Sequence, residues 1–517
     1  MTHRVKWWGW GDPSRNLDLK PGFRDFLFDR LDIRGRESLP ERPLPELAPP
    51  NPDVARSLNA SADDMDRLLH AAGKSYVDLV RIRRPKIDPA PDAVAWPETP
   101  DDLRRIFDVS RNEKWAVVPF GGGTSVLRGV EPLAGEKNGV VTVDLTRMNR
   151  VLSLDKTSRT AHVESGIFGP ALEMALSREG FELGHYPQSF EYSTLGGWIA
   201  ARSAGQNSSG YGRIEDLVVS LRAITPAGEI VTREVPSSAT GPELREVLIG
   251  SEGSLGIITD AVIRIHPRPD RMHYESYLFQ SFAGGIEALR GLAQDGPVPV
   301  VARLSDEAET ELSLKQAGAD SKWGFKLLRL LGKGDYLSRG AHLLLGYPTP
   351  KPKKRFDDAL GIGRSPGEHW EKSRFDLPYF RDTLMDYGIL VETLETATGW
   401  SNILKLYESV RNAIQSAIPG AIVLTHVSHL YPDGASLYFT FIADAQGKEI
   451  ETWKLGKDAA SRAILENGGT ISHHHGVGMD HRKWLAEERG PLQVEMLRSL
   501  KSTLDPDGIL NPGKLVP

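Results

Sequence analysis

Apolar positions in this chain repeat with two different periods, and the period switches from segment to segment. Residues 93–97, 115–118, 139–144 and 160–164 are short apolar or alternating runs, the pattern of strands buried in a sheet. Between the first two, Thr99-Pro-Asp-Asp102 is a helix start signal, and Leu103, Ile106 and Phe107 follow at helical spacing. Residues 170–178 carry the same amphipathic period. Residues 217–224 predict a strong strand, Thr225-Pro-Ala-Gly228 a turn, and 229–232 the returning arm of a hairpin. A strand over 257–265 ends at Pro267-Arg-Pro269, where a domain boundary is expected.

Beyond that boundary the pattern stays mixed. Residues 282–292 and 400–417 predict helices, the second stopped by Pro419-Gly420. Residues 421–427 and 436–442 predict strands joined by the turn Tyr431-Pro-Asp-Gly434. Helices return over 453–465 and 497–504. Residues 326–331 are apolar enough to touch lipid but read first as a core helix, and the basic, proline-broken 351–355 as a solvated loop. Interspersed elements of this kind predict an α+β or α/β architecture.

The first 60 residues show neither period. They are rich in proline, above all over 39–52, and predict an extended arm, with compact structure starting near 78–83. Trp7, Trp8 and Trp10 are expected to dock this arm on the protein body, since solvated tryptophans gain nothing. A membrane interface is the other place that favours tryptophan. The division that results is 1–80, 81–268, 269–452 and 453–517, the last segment returning to the second.

Composition changes the picture mainly by exclusion. A net charge of −6 over 517 residues gives no basic field to bind nucleic acid. The absence of cysteine excludes disulfides, thiolate metal sites, cysteine nucleophiles and cysteinyl-linked cofactors. No signal peptide and no run near the roughly 20 apolar residues of a membrane span is visible, so a cytoplasmic protein with at most peripheral membrane contact is expected.

Four segments rich in glycine and hydroxyl groups suggest a large polar ligand. The first is Pro119, Phe120, Gly121, Gly122, Gly123, Thr124 and Ser125, directly after a strand. The second is Gln188, Ser189, Phe190, Glu191, Tyr192, Ser193 and Thr194, continuing to a glycine pair judged too flexible for a good helix. The third is Ala201, Arg202, Ser203 and Ala204. The fourth is Glu252, Gly253, Ser254, Leu255, Gly256, Ile257 and Ile258. Small residues let backbone amides approach a pyrophosphate and its ribose.

In order and spacing these segments resemble the FAD-binding signature of the vanillyl-alcohol oxidase/p-cresol methylhydroxylase flavoprotein family. The resemblance implies a two-lobed FAD-binding domain of the p-cresol methylhydroxylase type with a mixed α/β cap domain. It places the FAD pyrophosphate on the glycine loop. Members with covalent flavin commonly carry a histidine near that loop; Thr124 stands there in this chain, which implies non-covalent FAD.

Within that family the chain is similar to the alkylglycerone-phosphate synthases. The features that carry this are Lys6-Trp-Trp-Gly-Trp-Gly11, Gly212-Arg-Ile-Glu-Asp-Leu-Val218, Phe380-Arg-Asp382 and Gly468-Gly-Thr-Ile-Ser-His-His-His-Gly-Val-Gly478. The likeness implies exchange of the acyl group of acyl-dihydroxyacetone phosphate for a long-chain fatty alcohol, with no net redox change, by a homodimer. It implies Tyr438 as catalytic tyrosine, Arg381 as the phosphate ligand and Arg303 as a second basic residue. His473, His474 and His475 are assigned proton handling; a metal is not expected, and a structural role is the plain alternative. If that run is extended, His474 faces away from the other two. His426 stands where an arginine is expected in the family. The alternative activity is an FAD-dependent dehydrogenase of 2-hydroxy acids such as lactate or glycolate.

Overall fold

The computed structural model describes residues 5–40, 42–317, 336, 340–350 and 356–516. Three sheets position the site. The smallest is parallel, with Gly139–Asp144 in the middle, Ala93–Ala95 on one side and Trp115–Phe120 on the other. Parallel strands need a crossover, and the helix Pro100–Glu113 carries the chain from one outer strand to the other. Thr99 and Asp102 close a capping box at its start, and Leu103, Ile106 and Phe107 face the sheet. The second sheet is antiparallel and five-stranded; it joins the hairpin of Val218–Thr225 and Gly228–Val231 to Ile257–Arg264, Thr160–Glu164 and Val151–Asp155.

The third sheet has seven strands, in the order Ala359–Gly363, His273–Phe279, Ala341–Tyr347, Val301–Ser305, Ile422–Leu430, Gly434–Asp444 and Ile389–Gly399. Helices Phe282–Asp295, Ile403–Ala417 and Glu449–Glu466 cover one face. In Ile403–Ala417 the residues Leu406, Val410 and Ile414 are wholly buried at helical spacing, each worth about 1.5–3 kcal/mol. The chain then returns to the first lobe: Val117 N–H donates to Ile509 O and Asn511 N–H to Val117 O, both 2.8 Å.

Two sequence expectations are overturned. Residues 1–60 are not an extended arm. Helices Pro21–Arg30 and Pro52–Leu58 lie within them. Phe23, Leu27 and Phe28 pack against Leu384, Ile389, Leu424 and Ile442 of the large sheet and its flank. Such short helices have little intrinsic stability and form because tertiary packing holds them. The tryptophans do dock on the body: Trp10 is buried, its N–H donates to Asp382 Oδ2 at 2.6 Å, and Trp7 packs on the cap core. The glycine pair after Thr194 is also not a loop. It starts the helix Leu195–Ala201, capped by the Thr194 hydroxyl. Glycine is needed because a Cβ on Gly196 would lie 2.7 Å from the Ser165 Cβ. Strand Val151–Asp155 and helix Arg482–Arg489 were not foreseen, and the last helix begins earlier, at Pro491. Residues 326–331 and 351–355 lie outside the described residues.

Candidate active site

The glycine segments meet in space. Gly123 has φ +64°. A Cβ on Gly122 would overlap the Tyr192 carbonyl oxygen, one on Gly121 would strike the Thr194 hydroxyl, and one on Gly253 would lie 2.7 Å from Pro119 Cγ. The first, second and fourth segments are therefore in direct contact. The residues just before the third and fourth segments join them: Gly250 N–H donates to Ile199 O, Glu252 N–H donates to Ala200 O, and a Cβ on Gly250 would lie 3.2 Å from Arg202 Cβ. Gly122→Ala should cost about 1–3 kcal/mol and lower the FAD content, because backbone rather than a flexible side chain blocks the methyl; a thermal melt and the flavin-to-protein ratio check this.

Polar atoms in this region lack partners. Among the described residues the backbone N–H groups of Gly122, Gly123 and Thr124 donate to no protein acceptor. The hydroxyls of Ser165, Ser251 and Ser254 are buried and unpartnered. Buried donors without acceptors are costly, so these groups fit a ligand that brings phosphate and ribose oxygens.

Tyr438 is placed by strand register. It lies opposite Glu395 on one neighbouring strand and opposite His426 on the other, so all three side chains share one face of the sheet. The Tyr438 and His426 rings stack at 4.8 Å. Arg303 holds His426 from behind at 3.0 Å and pairs with Glu309.

Glu395 organises the histidines. Buried to 1% exposure, it accepts from the Ser472 hydroxyl and the His475 N–H at 2.8 Å, the His474 N–H at 3.2 Å, and the His473 N–H. The run is therefore a turn and not an extended segment, and His474 does not face away from its neighbours. The His474 and His475 rings lie 6.1 and 5.7 Å from the Tyr438 ring. Burial pushes the Glu395 carboxyl up, but His474, His475 and the N–H donors outweigh it and hold it at about 2; the two histidines contribute where they are protonated, and at neutral pH the N–H donors remain. Burial lowers all three imidazoles, His475 to about 3, so they are neutral proton acceptors at neutral pH. Burial raises the Tyr438 phenol to about 12, so it keeps its proton.

Residues 91–233 match the FAD binding domain family, and residues 268–515 match the C-terminal domain of FAD linked oxidases. The alkyldihydroxyacetonephosphate synthase of Dictyostelium discoideum is 33% identical, over 100% of this chain and 94% of its own. The chain belongs to the alkyldihydroxyacetonephosphate synthase family. A solved structure of an alkyldihydroxyacetonephosphate synthase superposes with a TM-score of 0.84 at 31% identity, covering 99% of both chains. A p-cresol methylhydroxylase structure, at 14% identity and TM-score 0.68 over 90% of this chain and 96% of its own, shares the fold. The α+β architecture and FAD as cofactor, both expected from the sequence, follow from these matches.

Against that family background, several cofactor candidates have side chains engaged elsewhere. Arg202 pairs with Glu215 and Glu246, Glu191 with Arg15, and Gln188 donates to Arg374 O. Ser193 accepts from Trp198 Nε1 and Ser203 lies 2.9 Å from His185 Nε2. Glu252 accepts from the Val477 and Gly478 N–H groups, joining the fourth segment to the histidine turn; burial outweighs these bonds and raises its carboxyl to about 7. A cavity of about 830 Å³ opens beside this junction, lined by Ser251, Glu252, His473 and His474 but by neither the glycine loop nor Tyr438.

Sequence reasoning missed Glu395, His185, His429 and Lys74. His185 and His429 are buried, and burial lowers both imidazoles. His429, His473 and His474 bring nitrogens within 4.8 Å of one another, a spacing a metal could use. In the chain alone, His473 is already engaged by the Tyr431 hydroxyl at 2.6 Å and by His474 at 3.0 Å. A carboxylate in the middle of the strand Ile389–Gly399 was the one available signal for Glu395.

Proposed function

We propose that this protein is an FAD-dependent alkyldihydroxyacetonephosphate synthase, exchanging the acyl group of acyl-dihydroxyacetone phosphate for a long-chain alcohol. The observation that carries the reading is the row Glu395–Tyr438–His426 with three neutral imidazoles over it, in a chain that matches the family along its whole length. Bound FAD would supply a nucleophilic nitrogen for covalent catalysis. Tyr438 is suited to move the C1 proton of the dihydroxyacetone unit. His473, His474 and His475 take up and return protons beside it. Arg381 has Nε and Nη2 buried and unpartnered, ready for a phosphate fork. Arg303 acts through His426.

Incubating the flavin-loaded protein with palmitoyl-dihydroxyacetone phosphate and hexadecanol should yield the alkyl ether and release palmitate. Anaerobic bleaching of the flavin by lactate or glycolate, without ether formation, would overturn the reading in favour of the dehydrogenase.

The flavin is held without a covalent bond in this proposal. Thr124 and the absence of cysteine support it, as does His70: it packs on Phe120 at 4.4 Å, with its ring nitrogens 2.7 Å from Asp66 O and 3.0 Å from Asp144. Acid precipitation should therefore leave all the yellow colour in the supernatant; flavin retained in the pellet would contradict it. Long-chain substrates suit peripheral contact with a membrane, and no described helix is long and apolar enough to cross one. A homodimer is the assembly we expect.

A further inference from the structure

Lys74 stands just before the helix Tyr76–Ile82, whose first turn is capped by the Ser75 hydroxyl. Its backbone is clamped on both sides. The N–H donates to Ser125 O at 2.6 Å, at the end of the glycine loop, and the carbonyl accepts from Arg381 Nη1 at 3.0 Å. The approach is close enough that a Cβ on Gly73 would lie 2.6 Å from Ser125 O. Lys74 is thus wedged between the cofactor loop and the helix Leu377–Met385 that carries Arg381.

Its ammonium forms no hydrogen bond or ion pair among the described residues. The acids that face it are shared with other cations, and only Asp382 Oδ1 lacks a hydrogen bond. Asp382 accepts from the Trp10 N–H at 2.6 Å and lies 3.7 Å from Arg83, and Asp78 pairs with Arg81 and accepts from the Gly73 N–H. Arg83, the other cation nearby, lies 3.5 Å from Asp386 as well. Among the described residues the Lys74 ammonium and the Nε and Nη2 of Arg381 keep donors unspent, while Arg83 Nη1 and Nη2 make no hydrogen bond but stand in ion pairs with Asp386 and Asp382. The two charges repel each other, and Asp382 and Asp78, shared with Arg83 and Arg81, offset this only in part.

We propose that Lys74 and Arg381 form a two-cation pocket for a phosphate group, the ammonium contacting one face of the anion and the guanidinium fork another. The assignment of the bound phosphate to a substrate rests on the function proposed above. The pyrophosphate of the flavin, held by the loop that Lys74 touches, is the other source of the same chemistry. The pocket lies next to the chemistry, since the charge of Arg381 also lowers the Tyr438 phenol against the rise that burial causes.

Burial lowers the Lys74 ammonium to about 8; Asp382 and Asp78 oppose the fall, and Arg381 and Arg83 deepen it. Below about pH 8 the lysine is charged and the pocket complete. Above it the ammonium loses its proton and the anion loses one of its two partners.

The test uses the full chain loaded with FAD, in three forms: wild type, Lys74→Met and Lys74→Arg. Binding of inorganic phosphate and of dihydroxyacetone phosphate is measured by calorimetry at pH 7 and pH 9, with FAD affinity measured alongside. Lys74→Met should weaken phosphate binding at pH 7 by about tenfold or more. Wild-type binding should weaken by a similar factor on going to pH 9, and Lys74→Arg, charged throughout, should not. If FAD affinity falls in Lys74→Met while phosphate binding holds, the pocket serves the cofactor. Unchanged affinity for both in Lys74→Met overturns the proposal. Should Lys74→Met fold poorly, a pH response identical in wild type and Lys74→Arg overturns it just as well. Lys74-dependent phosphate binding in a protein that makes no ether would sink the functional reading and leave this pocket standing.

Discussion

Tyr438→Phe is expected to lower ether formation by about 10²–10⁴-fold, the usual contribution of a positioned proton-transfer group. The substitution removes one oxygen. The ring keeps its stacking on His426 and its place in the strand, so the melting temperature and flavin spectrum should stay as they are. The neighbouring imidazoles cannot substitute, because they are neutral bases without a spare acidic proton near that of a phenol held at about 12. Rates measured with saturating acyl-dihydroxyacetone phosphate and alcohol decide it. A variant as active as wild type would remove Tyr438 from the chemistry.

Glu395→Ala should cost at least about 10²-fold in rate, the scale on which loss of alignment acts. Three backbone N–H groups and the Ser472 hydroxyl lose their common acceptor, and the histidine turn is no longer pinned. Stability falls too. The carboxyl sits at about 2 when folded, below its ordinary 4.5. A group depressed in this direction stabilises the fold fully above about pH 4.5, and the benefit disappears as pH falls towards 2. Glu395→Gln, which keeps one carbonyl acceptor, should fall between wild type and alanine. Melting curves at pH 7 and pH 4 should show a gap between wild type and Glu395→Ala that narrows in acid; a gap of constant size would show that the charge contributes nothing.

What could be read in the sequence was local. The glycine loop, the strand before it, the capped helix after Thr99 and the hairpin holding Tyr438 each announce themselves within a dozen residues. The histidine run was visible as composition, but its shape was not, because the acceptor that folds it lies 78 positions away on another strand. The helix Pro21–Arg30 went unseen because its stability comes from partners beyond residue 380 rather than from its own period. The Gly196-Gly197 pair argued against a helix on propensity alone, and close packing on Ser165 reversed the argument. Lys74 had no local signal at all: a lone lysine before a helix is ordinary until Ser125 and Arg381 are seen on either side of it.

The tie between Asn511 and the cofactor lobe sets an order of events during synthesis. The Asn511 amide donates to Gly129 O at 3.0 Å and to Glu252 O at 2.8 Å, and Lys501 Nζ donates to Ser254 O at 2.8 Å. Gly129 and Asn511 are 382 positions apart. At about 5–20 residues per second, the ribosome delivers the second roughly 20–80 s after the first. Through that interval the nascent flavin loops lack the strand and the amide that later brace them. A cofactor lobe that folds before Asn511 is made stands without this brace, its loops held only by their contacts with one another.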